Sequence, residues 1–164
     1  KKYFEIKKNF FNPLIHFFEK KKFINIALYY PSSYELNILN ILELEFFKKK
    51  KFLLPIINDN FSMHFYEWKN KDVLNVNKYG ILEPLKSKSL IPNVVLVPLL
   101  AFDKFKNRLG YGKGFYDRFL QKNDENKRKI ISIGVAFSFQ KHHLLPINNK
   151  DVKLDYIFTE KGFF

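Results

Sequence analysis

Positions 108–118 read Arg-Leu-Gly-Tyr-Gly-Lys-Gly-Phe-Tyr-Asp-Arg, a run combining alternating glycines with cations and a carboxylate. Gly110, Gly112 and Gly114 leave every second residue without a side chain, so the backbone can turn tightly and bring several N–H groups to one anion. Gly114 falls near the start of an expected helix, where unpaired N–H groups and the positive dipole end favour phosphate. Lys113 supplies a mobile cation, and Arg108 a planar fork matched to phosphate oxygens. Asp117 lies one turn into that helix, within reach of a phosphate-bound Mg²⁺. The run is neither the dinucleotide fingerprint nor the Walker motif. A bare glycine turn between a strand and a helix fits the spacing equally well. Arg108 and Asp117 tip the reading toward a phosphate site.

Composition sharpens that reading. The net charge of +13 invites a nucleic-acid partner, yet the chain is rich in Lys, Asn, Ile, Phe and Tyr, which A/T-rich codons encode. Codon drift accounts for such a charge, and the runs Lys20–Lys22 and Lys48–Lys51 fall at expected helix ends, where lysines favour the dipole. No nucleic acid is therefore expected, although a basic surface helps to attract polyanions such as ATP. Against this bias the exceptions carry information. The only arginines are Arg108, Arg118 and Arg128, and three of the six glycines fall within residues 110–114. Residue types used sparingly elsewhere are concentrated in one segment.

The elements that must position this segment follow from length and pattern. A chain of 164 residues is read as one domain, 1–164, large enough for a single good core. With 46% hydrophobic residues it is not a disordered tail. No stretch approaches the roughly 20 apolar residues of a membrane span, the opening residues lack a secretory pattern, and there is no cysteine. A soluble cytoplasmic protein, monomeric, is the expectation.

Periodicity predicts a helix over 2–20, interrupted near Asn12-Pro13, and a buried strand from Phe23 to Tyr30. Ser32 or Ser33 is expected to cap a helix over 34–49, with Leu36, Leu39, Leu42 and Phe46 inward and Asn37, Asn40 and Glu43 wet. Strands are expected over 52–57, 61–68, 94–97, 129–136 and 156–159, a polar loop over 78–84, and a helix over 113–121. Such alternation indicates a three-layer α/β domain with a mostly parallel central sheet flanked by helices. Ligands are then expected at the carboxyl ends of the strands. His142-His143 reads as a surface pair, since no acidic partner has ligand spacing.

Val97-Pro98-Leu99-Leu100-Ala101-Phe102-Asp103, followed by Arg108 to Arg118, resembles the signature of the 5-formyltetrahydrofolate cyclo-ligase (methenyltetrahydrofolate synthetase) family. Weaker matches follow in the family's order: Tyr30-Pro31 with Glu35, Leu54-Pro55, Met63-x-Phe65 with Trp68, and Gly80-Ile81-x-Glu83-Pro84. Leu145-Pro146, Asp151, Leu154-Asp155 and Thr159-Glu160 resemble its closing pattern, so the resemblance spans most of 24–160.

The resemblance implies an α/β ligase that uses ATP and Mg²⁺ to convert 5-formyltetrahydrofolate to 5,10-methenyltetrahydrofolate. The formyl oxygen attacks the γ-phosphate, N10 closes the ring on the resulting imidate phosphate, and phosphate leaves. Arg108, Leu109, Gly110, Tyr111, Gly112, Lys113, Gly114, Phe115 and Tyr116 are thereby expected to cradle ATP, with Arg108 and Lys113 catalytic. Tyr30, Glu35, Tyr111 and Phe115 are expected at the folate, with Glu35 bonding the pterin and Trp68 a weaker stacking candidate. Asp117 and Asp151 are expected to hold Mg²⁺, although Asp151 read without the resemblance is a turn residue in Asn148-Asn149-Lys150-Asp151.

Two departures stand out. The family's amino-terminal Lys-x-x-Leu-Arg element has no counterpart, which is read as truncation, the alternative being a substitute lysine at Lys7 or Lys8. The Glu35 segment reads Tyr34-Glu35-Leu36-Asn37-Ile38, where the family tends to have Gly-Glu and a following Thr. A non-catalytic folate or nucleotide binder, and less favourably a basic RNA-binding module, are the competing readings.

Overall fold

The central strands are buried almost continuously, and their successive side chains enter two different hydrophobic clusters in alternation, which is what a sheet covered on both faces requires. The computed structural model describes residues 8–32 and 35–164, so Lys7, Ser33 and Tyr34 lie outside the described residues. The principal sheet has eight strands: β1 (Asn25–Ala27), β2 (Lys51–Ile57), β3 (Met63–Glu67), β6 (Ser89–Leu90), β7 (Val94–Pro98), β10 (Ile131–Val135), β11 (Tyr156–Thr159) and β12 (Gly162–Phe163). Their spatial order is β12-β11-β10-β7-β1-β2-β3-β6. The five strands from β11 to β2 are parallel. Antiparallel β3, β6 and β12 complete the two sides. Both outermost strands are two residues long, which leaves little free edge for another chain to pair with.

Ile26, Leu28, Phe52, Leu54, Val94, Leu96, Ile133 and Val135 face one cluster, together with Phe11, Leu14 and Phe18 of the amino-terminal helical segment. That segment is a 3-10 turn (Lys8–Phe11) running into helix α1 (Asn12–Glu19), with Pro13 in its first turn, where its missing N–H costs nothing. Ala27, Leu53, Val95, Val97 and Ile157 face the other cluster, with Leu120 of helix α2 (Phe115–Glu125). The three layers and mostly parallel sheet expected from the alternation are present. Two further ribbons lie outside the sheet: β4 (Leu74–Val76) with β5 (Leu82–Pro84), and β8 (Ala101–Phe102) with β9 (Arg108–Leu109).

The helix expected over 34–49 is not formed. Two short 3-10 turns, Leu39–Glu43 and Glu45–Phe47, take its place, separated by extended Leu44 (ψ 131°). Asn37, Asn40 and Glu43 are exposed as expected, but the deepest positions are Leu36, Ile38, Ile41 and Phe47. Leu36 and Ile38 are two residues apart, a spacing that puts them on opposite sides of an α-helix and so rules one out where both are buried. Asn37 Oδ1 also accepts the Leu39 N–H at 3.0 Å, a local bond that competes with helix. Ser32 is accordingly no helix cap. The other expected strands form with ends shifted by at most two residues, while the ladder expected over 23–30 spans only Asn25–Ala27, freeing Tyr29 to Ser32 to leave the sheet.

Candidate functional site

From β1 the chain runs to β2 on one side, whereas the later β7, β10 and β11 are added on the other. The order therefore reverses between β1 and β7, and the carboxyl ends of strands at such a point are where open α/β sheets leave a crevice. A cleft of about 890 Å³ opens there. Tyr29 to Ser32 after β1, Ile57 of β2 and Pro98 of β7 line it, and the whole run from Arg108 to Arg118 forms its largest contiguous wall.

Hairpin β8–β9 delivers that run. Arg108 on β9 pairs with Phe102 on β8, and the chain then turns through the glycines into α2. At Gly110 a Cβ would lie 2.9 Å from Arg108 Nη1, so glycine is what lets the backbone pass the guanidinium. Gly114 sits at the helix N-cap in the left-handed region (φ 63°), a conformation costly for residues with a Cβ. No side chain caps α2 there, and its first turn lines the cleft. The helix begins at Phe115 rather than at the expected Lys113, which leaves Lys113 exposed on the loop.

Arg108 and Asp117 face each other. Arg108 Nη2 donates to Asp117 Oδ2 at 2.7 Å, and Asp117 Oδ1 accepts the Val152 N–H at 3.2 Å. The two side chains are only 7% and 15% exposed. The guanidinium also lies 5.7 Å from the Tyr116 ring centroid. Arg108 Nε is buried and, among the described residues, meets no acceptor. A buried donor of this kind costs about 1–3 kcal/mol unless something accepts its proton, which suits a position awaiting an anionic ligand.

Arg118 braces the loop from behind. Its Nη2 donates to the Lys113 carbonyl at 2.8 Å and its Nε to the Phe61 carbonyl at 3.3 Å. Its guanidinium lies 6.0 and 5.3 Å from the Phe61 and Phe115 ring centroids. Lys113 Nζ reaches over Tyr79, 5.9 Å from the ring centroid, and Tyr79 packs on Phe115. On the opposite wall, Tyr111 and Ser32 share a hydrogen bond of 3.1 Å between their hydroxyls, joining the loop to the segment that follows β1.

Glu35 is half-buried on that wall and accepts the Ser32 N–H at 2.7 Å. Burial raises its pKa, and the bonds from Ser32 only partly oppose the rise. Burial also raises the Tyr29 and Tyr116 hydroxyls, helped in each case by the nearby Glu35 charge, while Arg108 pulls Tyr116 the other way. Both phenols are held firmly neutral. Tyr29 donates to the Leu36 carbonyl at 2.7 Å, fixing the stretch that follows Glu35.

Apart from the stacking candidate Trp68, the residues expected at the site from sequence all line this one cleft: Tyr30, Glu35, Arg108 to Tyr116, Asp117 and Asp151. Asp151 closes a turn, accepting the Asn148 N–H at 2.8 Å, and its neighbour Val152 donates to Asp117. Trp68 is different: it is buried, donates to the Asp72 carbonyl and touches Tyr30 from beneath. Tyr30 lines the cleft and Trp68 supports it. Sequence reasoning missed Tyr79 and assigned no role to Glu83, whose Oε1 accepts from Ile57 N and Asn77 Nδ2 at 2.8 and 2.7 Å. The signals pointing to them were the polar loop around Gly80 and, for Glu83, its place in the matching run Gly80-Ile81-x-Glu83-Pro84. His142 and His143 are exposed, as expected.

Among the described residues no three acidic or histidine side chains converge on a metal-sized space. Asp117 and Asp151 both line the cleft and both carry oxygen donors of the kind Mg²⁺ takes, and Val152, next to Asp151, donates to Asp117. No helix among the described residues is long and apolar enough to cross a membrane.

The sequence profile described as the 5-formyltetrahydrofolate cyclo-ligase family matches residues 3–160. The chain is 34% identical over 148 residues to the 5-formyltetrahydrofolate cyclo-ligase of Haemophilus influenzae, covering 85% of this chain and 78% of that one. Against the Escherichia coli K12 enzyme of the same name it is 30% identical over 142 residues, covering 82% and 76%. Two solved structures, 5,10-methenyltetrahydrofolate synthetases of Mycoplasma pneumoniae and Aquifex aeolicus, superpose with a TM-score of 0.73 each. They are 27% and 32% identical, covering 93% and 95% of this chain and 84% and 80% of theirs. In sequence profile, in close relatives and in fold, this chain belongs to the 5-formyltetrahydrofolate cyclo-ligase family.

Proposed function

We propose that this chain is a ligase that uses ATP to convert 5-formyltetrahydrofolate to 5,10-methenyltetrahydrofolate, releasing ADP and phosphate. The observation that carries the reading is Arg108, buried beside the glycine loop with an N–H that lacks an acceptor among the described residues. An amide oxygen is a weak nucleophile, so phosphoryl transfer to it depends on positioning and on neutralising charge. Backbone N–H groups of residues 109–116 and the opening turn of α2 cradle the phosphates. Arg108 and Lys113 offset the charge on the transferring group. The formyl oxygen bonds to the γ-phosphorus as the bridging oxygen leaves with ADP. N10 then adds to the formyl carbon and gives up its proton to solvent, and phosphate departs with the former formyl oxygen. Asp117 and Asp151 would hold Mg²⁺, which supplies further neutralisation of phosphate charge.

The folate occupies the opposite wall, where Glu35, raised toward its neutral form, and Tyr30 present polar groups on an aromatic surface. Tyr111 and Phe115, which also line the cleft, would touch both substrates. The test is direct: purified chain with 5-formyltetrahydrofolate, MgATP and buffer, followed by the absorbance of the methenyl product. An ATP-dependent rise is expected, and its absence overturns the proposal.

A further inference from the structure

Asp103 has no place in the chemistry just described, yet it is a carboxylate only 1% exposed. Its Oδ1 accepts the N–H groups of Phe105 at 2.9 Å and Asn107 at 3.1 Å, and its Oδ2 accepts Asn107 Nδ2 at 2.8 Å. These three bonds close the turn of hairpin β8–β9. The fourth does something else: Oδ2 accepts the Leu145 N–H, at 3.3 Å and 42 residues away. Pro146, Asn148, Lys150 and Asp151 follow Leu145 along the cleft.

The same turn grips the far end of that segment. The Lys106 carbonyl accepts the Leu154 N–H at 3.1 Å, and Lys106 Nζ donates to the Asp155 carbonyl at 2.8 Å. Lys106 has a positive φ of 65°, uncommon outside glycine, and its N–H bonds the Asp103 carbonyl at 3.1 Å. One five-residue turn thus holds both ends of the loop carrying Asp151, and its next residue is Arg108.

We propose that Asp103 is a positioning residue that sets the Asp151-bearing loop against Arg108 and Asp117, fixing the nucleotide end of the cleft. The inference rests on the proposed function, since it concerns where that reaction's cations and carboxylates stand. Burial by itself would raise the Asp103 pKa; the bonds from Asn107, Leu145 and Phe105 outweigh it and keep the carboxyl below its ordinary value, ionised and accepting. An ionised carboxylate can take all four donors at once, and an amide cannot.

That difference supplies the test. In Asp103→Asn the amide meets Asn107 Nδ2 and the Leu145 N–H donor to donor. In the swap Asp103→Asn/Asn107→Asp, the bond between positions 103 and 107 re-forms with its polarity reversed, but the Leu145 N–H still lacks an acceptor. Wild type, Asp103→Asn, Asn107→Ala and the swap are compared by thermal melting and steady-state kinetics with MgATP and folate varied separately. The swap is expected to melt above Asp103→Asn while its kcat/KM for MgATP stays roughly 10–100-fold below wild type, the loss that small misplacement causes. Its KM for folate should be near normal. Asn107→Ala, which keeps the Leu145 bond, should lower the melting temperature and leave kcat/KM within about twofold, under the ~1.4 kcal/mol that tenfold represents.

A swap that regains wild-type kcat/KM together with stability overturns the inference, because Asp103 would then serve the hairpin alone. So does equal loss toward both substrates. Should the swap not fold, amide exchange of Leu145 in the wild-type protein decides: protection is expected, and exchange at the rate of an open amide refutes the link. A wild-type chain without ATP-dependent turnover refutes the proposed function instead, which keeps the two failures apart.

Discussion

Arg108 and Asp117, nine residues apart and on different elements, are joined by a 2.7 Å hydrogen bond at the wall of the cleft. The sequence suggested a phosphate cation and a metal ligand acting separately, but they form a pair. Asp117→Asn should therefore do two things. It should cost roughly 1–3 kcal/mol of stability, because a largely buried guanidinium loses its charge partner. It should also abolish most turnover and raise the Mg²⁺ concentration for half-maximal rate. Melting curves and a Mg²⁺ titration separate the effects. Lost stability with an unchanged Mg²⁺ requirement would leave Asp117 as the arginine's partner only.

Arg108→Lys tests the fork itself. The guanidinium already gives one N–H to Asp117 while holding its Nε buried against the loop. An ammonium on a flexible stem can keep the ion pair but cannot present a second, fixed donor in another direction. The barrier should rise by about 2–4 kcal/mol, the range for loss of one preorganised donor, with the melting temperature little changed. Lys113→Ala should cost a similar barrier without touching stability, since Lys113 is exposed. Full activity in Arg108→Lys would show that a point charge suffices there.

The contrast between what the sequence disclosed and what it hid follows from the range of the interactions. Apolar runs such as Val94 to Val97 are buried on both faces and bounded by turns, so the strands were legible. The glycine loop was legible because glycine and arginine are scarce everywhere else in the chain. Segment 36–47 misled because its apolar residues repeat near helical spacing while its polar Asn37 bonds locally to Leu39. Strands β4, β5, β6, β8 and β9 are two or three residues long, too short to show any period. Partnerships across long separations, such as Ser32 with Tyr111 or Asp103 with Leu145, leave no mark in sequence at all.

Glu35 sets a pH dependence whose sign is opposite to that of an ordinary paired carboxylate. Its pKa is raised in the folded chain above the reference 4.5, first by burial. Between the unfolded and folded values the native state binds the extra proton, so stability falls as pH rises through that interval and stays lowered above it. Glu35→Gln removes the charge and keeps an oxygen for the Ser32 N–H. It should melt higher than wild type near neutral pH, and the gap should close as pH falls below the reference carboxyl value. Folate KM should rise at the same time. A gap independent of pH would mean that burial does not hold Glu35 toward its neutral form.

Arg118 offers the last test, of whether the glycine loop needs its brace. The guanidinium contacts the Phe61 and Phe115 rings and bonds the Lys113 and Phe61 carbonyls, so it ties the turn before β3 to the loop. Phe61 holds a positive φ of 60°, a strained conformation for an aromatic residue, and Arg118 binds its carbonyl. At an exposed site each cation–π contact contributes about 0.5–1 kcal/mol, so Arg118→Ala should reduce stability only modestly. Its larger effect should fall on MgATP. With the Lys113 carbonyl released, the loop samples conformations that do not present its N–H groups, and the apparent affinity drops by the fraction lost. KM for MgATP should therefore rise several-fold while kcat at saturating nucleotide is largely kept. Arg118→Lys should not rescue it, because one ammonium cannot span both carbonyls and both rings. A loss confined to kcat would instead place Arg118 at the reacting phosphate, and an unchanged KM would show that the loop holds its shape unaided.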